Sequence, residues 1–200
     1  MRGVVFPGDR LVSYVDVPDP TPGPLDVIVE MKASGMCGTD LQNYRRPHDQ
    51  APYMPSLIGR PPIAGHEPAG IVSAAVLPGQ ARVGERVMVH HYQGCTTCDH
   101  CRSGWQQLCQ VAKPMVRVYG NNDDGGHAPY LKVPANTLVP LPQELSFAAG
   151  AAISCGTGRL QRAGSSQPVG ASHDRDIRPR TGRAFGHTAG ACHERARDRH

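Results

Sequence analysis

The sequence predicts a mostly β protein, with an antiparallel, barrel-like domain in the residues before 145. Two observations lead to this fold class. Apolar residues alternate with other residues from 27 to 33, which is the period-2 pattern of a half-buried strand. Turn-forming groups such as Pro22-Gly23-Pro24 and Asp124-Gly125-Gly126 separate this run from its neighbours. Many short strands between Gly- and Pro-rich turns are typical of a β-sandwich or a β-barrel.

Further elements follow along the chain. Strand-like runs recur at residues 70–74, 86–89 and 129–133. Beyond them, Ser146 offers an N-cap to a run of mostly small residues from Phe147 to Ile153, which predicts a short helix. We therefore expect a β-domain with few helices.

The composition changes after Gly158. The bulky apolar residues of the tail, residues 159–200, are only Leu160, Val169, Ile177 and Phe185, too few to offset the entropy lost on ordering the segment. We expect the tail to be disordered.

The positive charge of the chain also lies in the tail. Residues 159–200 carry 9 Arg against 4 acidic residues, whereas residues 1–158 carry 12 basic and 13 acidic residues. Because aromatic residues do not alternate with these arginines, the charge gives only weak support for a nucleic-acid partner.

The expected compartment is the cytoplasm. No apolar stretch is long enough to span a bilayer, and the first residues lack the apolar core and cleavage site of a secretory signal. In a reducing compartment, the 7 cysteines favour metal binding over disulfides.

Four cysteines form a closely spaced C-x2-C-x2-C-x7-C run, namely Cys95, Cys98, Cys101 and Cys109. This spacing predicts a closed tetrahedral zinc site, which can stabilise a lobe over residues 90–113 but leaves no open position for a substrate. An iron–sulfur cluster is the alternative. The bacterial ferredoxin pattern has three residues before the fourth cysteine and a proline after it, whereas seven residues intervene here and Gln110 follows. A disulfide within the lobe is the remaining alternative, and a reducing compartment disfavours it.

Two short segments contain further side chains that could bind a metal ion or a substrate. One places Cys37, Thr39 and Asp40 on a single tight turn, and the other places His66 beside Glu67 just before a predicted strand. Each residue also has a simpler interpretation. A lone cysteine such as Cys37, or Cys155 in the SCGTG stretch, is usually a small buried apolar residue, and Thr39 and Asp40 could satisfy backbone groups of the turn.

Together these segments resemble the catalytic domain of the zinc-dependent medium-chain alcohol dehydrogenases, over residues 1–158. The pieces stand in the order of that family: CGTD, GHEPAG, the four-cysteine lobe, the stretch from Asp124 to Pro134, and SCGTG. The lobe and the YLKVPANTLVPLP segment are most similar to the threonine and polyol dehydrogenase-like branch. The resemblance implies a GroES-like β-barrel with one structural and one catalytic zinc ion.

The resemblance also implies roles for individual residues. Cys37, His66 and Cys155 would bind the catalytic zinc, with Glu67 either close to the ion or a transient fourth ligand. Thr39 would pass the proton of a small alcohol or polyol substrate to solvent, Asp40 would orient His66, and His91 would line the substrate pocket. His90, His100 and His127 receive no role and are expected at the surface.

The sequence departs from the family in its second half. It has no G-x-G-x-x-G motif for NAD(P), and the residues after 158 are too few for the several βαβ units of a Rossmann domain. A frameshifted gene would explain a tail rich in arginine, and we expect the chain alone to be inactive as a dehydrogenase. The alternative is a non-catalytic, zinc-stabilised interaction module.

Two single residues also depart from the family pattern. Val76 occupies a usual glycine position after the GHE segment. Gln42 replaces a histidine that many polyol and threonine dehydrogenases carry, which argues against a threonine substrate.

Overall fold

A computed structural model describes residues 1–153 of the chain, apart from residues 78, 80 and 113. Cys155, the predicted domain end at residue 158 and the predicted disorder of residues 159–200 lie outside the described residues and stay predictions.

The described residues are mostly β, as predicted. The strands are β1 (Arg2–Gly8), β2 (Leu11–Asp16), β3 (Asp26–Gly35), β4 (Glu67–Ala75), β5 (Arg86–Val89), β6 (Tyr92–Gln93), β7 (Arg117–Val118), β8 (Tyr130–Pro134) and β9 (Leu138–Pro140). The helices are α1 (Gly38–Arg45), α2 (Asp99–Arg102) and α3 (Phe147–Ile153), with short 3₁₀ turns at Gln106–Leu108 and Ala135–Thr137.

The largest sheet has five strands in the order β8-β3-β4-β5-β9, and every neighbouring pair is antiparallel. The strands β1 and β2 form a separate hairpin, which joins the rest through hydrogen bonds of Val4 with Ala64 and His127. The strands β6 and β7 pair beside the four-cysteine lobe. Three of the four strand-like runs of the sequence lie within strands of the five-stranded sheet, and the fourth, 129–133, begins one residue before β8.

The two faces of this sheet carry two separate apolar cores. Side chains of a strand alternate between faces, so that Val87 and Val89 lie in one core and Met88 in the other. The first core also contains the buried valines of β3 and β4 and Leu131 of β8. The alternation of residues 27–33 predicted a strand with one face open to solvent. Ile28, on the face expected to be open, is only 5% exposed, so this part of the strand is buried on both faces.

Helix α3 covers the second core. Ala151 packs with Met88, Ala69 and Leu141, and the helix contacts β3 and β4. The N–H of Ala149 donates to Ser146 Oγ at 3.1 Å, which confirms Ser146 as the N-cap. No helix within the described part of the chain is long and apolar enough to cross a membrane.

We expect Leu131→Ala to lower the free energy of unfolding by about 3 kcal/mol, because Leu131 is 2% exposed and its loss leaves a cavity in the first core. Leu25→Ala is the matched control, since Leu25 is 70% exposed and the change should cost no more than about 0.5 kcal/mol. Urea unfolding of the two variants measures both values, and equal losses would contradict the assignment of the core.

Candidate metal centres

The pairing of β3 with β4 brings the CGTD and GHE segments together. Gly35, at the end of β3, lies opposite Glu67, at the start of β4. Cys37 follows β3 by two residues and His66 precedes β4 by one, so both side chains meet at the same end of the strand pair. A Cβ atom on Gly35 would overlap the Glu67 carboxylate, so a larger residue there would displace that side chain.

Cys37 is the N-cap of helix α1, so the tight turn predicted at residues 35–40 is in fact the start of a helix. Its thiol accepts a hydrogen bond from the N–H of Thr39 at 3.4 Å, and its own N–H donates to Asp40 Oδ2 at 3.0 Å. Cysteine thus takes the place that Ser or Thr usually has in a capping box. The cap fixes the positions of both Cys37 and Asp40.

Asp40 links this cap to His66. Cys37 Sγ lies 2.8 Å from His66 Nε2, and Asp40 Oδ2 lies 3.2 Å from His66 Nδ1. The side chains of Asp40 and His66 are 1% and 4% exposed. Asp40 therefore has two tasks. It accepts the N–H of Cys37 at the start of α1, and it holds the imidazole ring of His66 so that Nε2 faces the thiol.

The electrostatics of the three groups favour their charged forms. Burial disfavours charge on His66 and Asp40, but their mutual contact outweighs it, so that the pKa of His66 is raised and the pKa of Asp40 is lowered. Burial likewise opposes the thiolate of Cys37, yet hydrogen bonding from Thr39 and the nearby His66 lower its pKa. A thiolate is the form that binds a metal ion.

Glu67 completes a group of three possible metal ligands. The ligand atoms of Cys37, His66 and Glu67 all lie within 4.8 Å of one another, and Glu67 is 7% exposed. Sulfur, imidazole nitrogen and carboxylate oxygen are all ligands that zinc accepts. The donor set, with two buried ligands and the half-buried Cys37, therefore fits a zinc ion.

His91 lies next to this group. Its ring centroid is 5.2 Å from that of His66 in an edge-to-face arrangement, and it is 4% exposed. Burial, followed by the charge on His66, lowers the pKa of His91 to about 3, so its ring is neutral.

None of the three histidines that were expected at the surface is fully exposed. His90 is 2% exposed, so its predicted surface position is wrong, and the pair His90-His91 directly after the buried strand β5 is the sequence signal that indicated otherwise. His127 is half-buried, and its Nδ1 atom would lie 2.7 Å from a Cβ atom on Gly65. His100 is half-buried as well.

The four lobe cysteines also converge. Their sulfur atoms lie within 4.8 Å of one another, with Cys95 3.9 Å from Cys101 and Cys98 3.8 Å from Cys109. A tetrahedron with metal–sulfur bonds of about 2.3 Å has edges of about 3.8 Å, so this spacing fits one zinc ion. All four are free thiols, which argues against the disulfide alternative.

Hydrogen bonding in the lobe also favours thiolates. The N–H groups of Cys98 and Ala112 donate to Cys95 Sγ and Cys109 Sγ at 3.3 Å. A hydrogen bond from Thr97 lowers the pKa of Cys95 to about 5, whereas burial raises the pKa of Cys101 to about 12. Four adjacent thiolates repel one another, so a cation is needed for all four to deprotonate.

Residues 23–143 of the chain match the alcohol dehydrogenase GroES-like domain. The chain belongs to this family. The family prediction made from the sequence and the GroES-like fold are thereby confirmed, and the described region is a zinc-type, medium-chain alcohol dehydrogenase domain.

Relatives of this GroES-like domain include alcohol and threonine dehydrogenases. An uncharacterized zinc-type alcohol dehydrogenase-like protein of Escherichia coli (strain K12) is 39% identical over 165 residues, which are 79% of this chain and 45% of that protein. An L-threonine 3-dehydrogenase of Stenotrophomonas maltophilia is 34% identical over 65% of this chain and 36% of its own length. The crystal structure of an NAD-dependent alcohol dehydrogenase matches 77% of this chain and 43% of its own, with 30% identity and a TM-score of 0.63. The chain spans less than half the length of each.

The glycine of the GHE segment carries a strong structural constraint in this GroES-like domain. Gly65 has φ +95°, and an added Cβ atom would lie 2.5 Å from Ser34 Oγ. We expect Gly65→Ala to destabilise the domain by about 2 kcal/mol or more. Gly59 also has a positive φ, +71°, but a Cβ atom there meets nothing within 4 Å, so Gly59→Ala is the matched control. Thermal unfolding compares the two, and equal losses would show that the crowding around Gly65 has no effect.

The burial of His90 predicts a pH dependence of stability. Burial lowers the pKa of His90 from 6.5 to about 4, so the unfolded chain takes up the proton first as the pH falls. Stability should therefore decline between these two pH values, by up to about 1.4 kcal/mol per pH unit for one proton. We expect His90→Gln to reduce this slope in urea unfolding across the range. Other groups such as His91 contribute equally to the pH dependence of both proteins. Equal slopes of stability against pH in the unaltered chain and in His90→Gln would therefore contradict the prediction.

Proposed function

We propose that this chain is the metal-binding catalytic domain of a dehydrogenase that oxidises alcohols or polyols with NAD(P). The observation that supports it most is the contact of the half-buried Cys37 with the buried His66, with Asp40 behind the imidazole. A thiol, an imidazole and a carboxylate held in this order have the donor set of a catalytic zinc site.

The zinc-binding residues of this proposal are Cys37, His66 and Cys155, with Glu67 as a nearby carboxylate or transient fourth ligand. Cys155 lies outside the described residues, so its role rests on the family pattern alone. A zinc ion bound there would supply a Lewis acid for the alcohol oxygen, and NAD(P) would accept the hydride.

The protein residues around the site have distinct tasks. Asp40 holds His66 through Nδ1 and so keeps Nε2 directed at Cys37. Thr39 is half-buried and its N–H contacts Cys37 Sγ at 3.4 Å, and we assign its hydroxyl the passing of the alcohol proton to solvent. His91 is buried and neutral beside His66, and it would line the substrate pocket and exclude water.

The four-cysteine lobe would hold a second, structural zinc ion. Gly94 has no room for a side chain, since a Cβ atom would overlap Cys101 Sγ, and its N–H donates to Gln106 Oε1 at 2.9 Å. With all four ligand positions taken by sulfur, this ion would stabilise the lobe but could not bind a substrate.

Within the alcohols and polyols proposed as substrates, Gln42 argues against threonine and favours an alcohol whose oxidation needs no histidine at this position. Gln42 lies on α1, where many polyol and threonine dehydrogenases carry a histidine. An uncharged amide cannot serve as the proton acceptor that an imidazole can.

We expect the purified chain to contain two zinc ions. Cys37→Ser should remove one and Cys98→Ser the other, because each site needs its thiolate. Cys192→Ser, at a cysteine with no role in either proposed site, should leave both in place. Elemental analysis of the four proteins measures the ratio of zinc to protein. A single zinc ion that is lost only in Cys98→Ser would contradict the catalytic proposal and favour a non-catalytic interaction module.

We expect the chain alone to form no NADH from NAD⁺ and a secondary alcohol such as propan-2-ol, because its sequence contains no dinucleotide-binding motif. A chimera that joins residues 1–158, which include Cys155, to the part of the NAD-dependent alcohol dehydrogenase beyond the match should form NADH. Absorbance at the NADH band measures both rates. Activity of the chain alone, or equal activity of the chimera with Cys37→Ser, would contradict the proposal.

A further inference from the structure

The segment of residues 124–127 forms a short ladder with residues 63–65, directly before His66. The N–H groups of Gly125, Gly126 and His127 donate to the carbonyls of Ile63, Gly65 and Ala64, at 2.8, 2.7 and 2.9 Å. Ile63 and Ala64 are 0% and 4% exposed, so these bonds are shielded from water. The backbone position of His66 therefore depends on this ladder.

The ladder leaves no space between its two sides. A Cβ atom on Gly125 would lie 2.5 Å from the carbonyl oxygen of Gly65, and one on Gly126 would lie 2.9 Å from Pro68 Cβ. Such close backbone approach explains the two consecutive glycines after Asp124.

Arg60 and Asp124 close one end of the ladder. The guanidinium of Arg60 donates to both carboxylate oxygens of Asp124, at 2.9 and 2.5 Å. Asp124 Oδ1 also accepts from the N–H of Ile63 at 3.0 Å. The carboxylate thus joins the chain before His66 to the glycine segment, and the two-point contact fixes its orientation.

We propose that Arg60 and Asp124 are positioning residues that hold the backbone of His66 at the distance from Cys37 that metal binding requires. This inference rests on the proposed function, since it assigns the pair a role at the proposed catalytic zinc site. Asp40 orients the ring of His66, whereas Arg60 and Asp124 set where its backbone lies. The two contacts act on different degrees of freedom, so Asp40 cannot replace the pair.

The test uses the full 200-residue chain loaded with Co²⁺, which gives visible absorption bands at each occupied site. Bands of the Cys37–His66 site are those lost with Cys37→Ser, and the remaining bands belong to the four-cysteine lobe. In Asp124→Asn and Arg60→Met, we expect Co²⁺ to bind about tenfold more weakly at the Cys37–His66 site, with changed bands. Arg60→Lys, which retains the charge, should recover part of the loss.

The lobe serves as an internal control for folding, and its Co²⁺ affinity should not change. Asp16→Asn is the matched surface control, because Asp16 pairs with Arg2 at 3.5 Å on the exposed β1–β2 hairpin. Wild-type affinity and bands in Asp124→Asn would overturn the inference, and so would a loss that is equal at both sites. If the unaltered chain has no bands that depend on Cys37, the proposed function fails, and this inference fails with it.

Discussion

The arrangement of the site depends on one buried carboxylate. Asp40 is 1% exposed, and a charge so buried persists only where it is paired. The N–H of Cys37 donates to Asp40 Oδ2 at 3.0 Å, and His66 Nδ1 lies 3.2 Å from it as an ion-pair partner. The first belongs to the start of α1 and the second to the residue before β4, so the carboxylate ties a helix to a strand. This connection holds Cys37 and the ring of His66 in contact with each other.

The antiparallel sheet supplies the frame for this contact. Because β3 and β4 pair with Gly35 opposite Glu67, the segments after one strand and before the other meet without a long connection between them. The β6–β7 pair and residues 124–127 then extend the frame. Tyr119, just after β7, donates its N–H to the carbonyl of His91 at 2.9 Å. Gly125 and Gly126 pack on residues 63–65. These bonds tie His91, which lies beside His66, to the end of β7, and tie the chain before His66 to residues 124–127.

Much of the fold could be predicted from the sequence, whereas the contacts of the site could not. The strand at 86–89 and the helix after Ser146 follow from local patterns, and the grouping of the four lobe cysteines follows from their spacing. The start of α1 was missed, because cysteine is a rare N-cap and the residues before it form a turn in either case. The burial of His90 could have been inferred from its place directly after the buried strand β5. The pairing of Arg60 with Asp124 joins distant segments, and no local pattern encodes it. Cys155 and the tail keep only their sequence-based interpretation.

The central claim is that the chain holds two chemically different zinc sites, one with four sulfur ligands and one that combines the sulfur of Cys37 with the imidazole of His66. Zinc K-edge X-ray absorption tests it most directly, since sulfur and nitrogen or oxygen ligands lie at about 2.3 and about 2.0–2.1 Å from the ion. The intact chain should show a mixed sulfur and nitrogen shell, and Cys37→Ser should show sulfur alone. A pure sulfur shell in both proteins would contradict the claim.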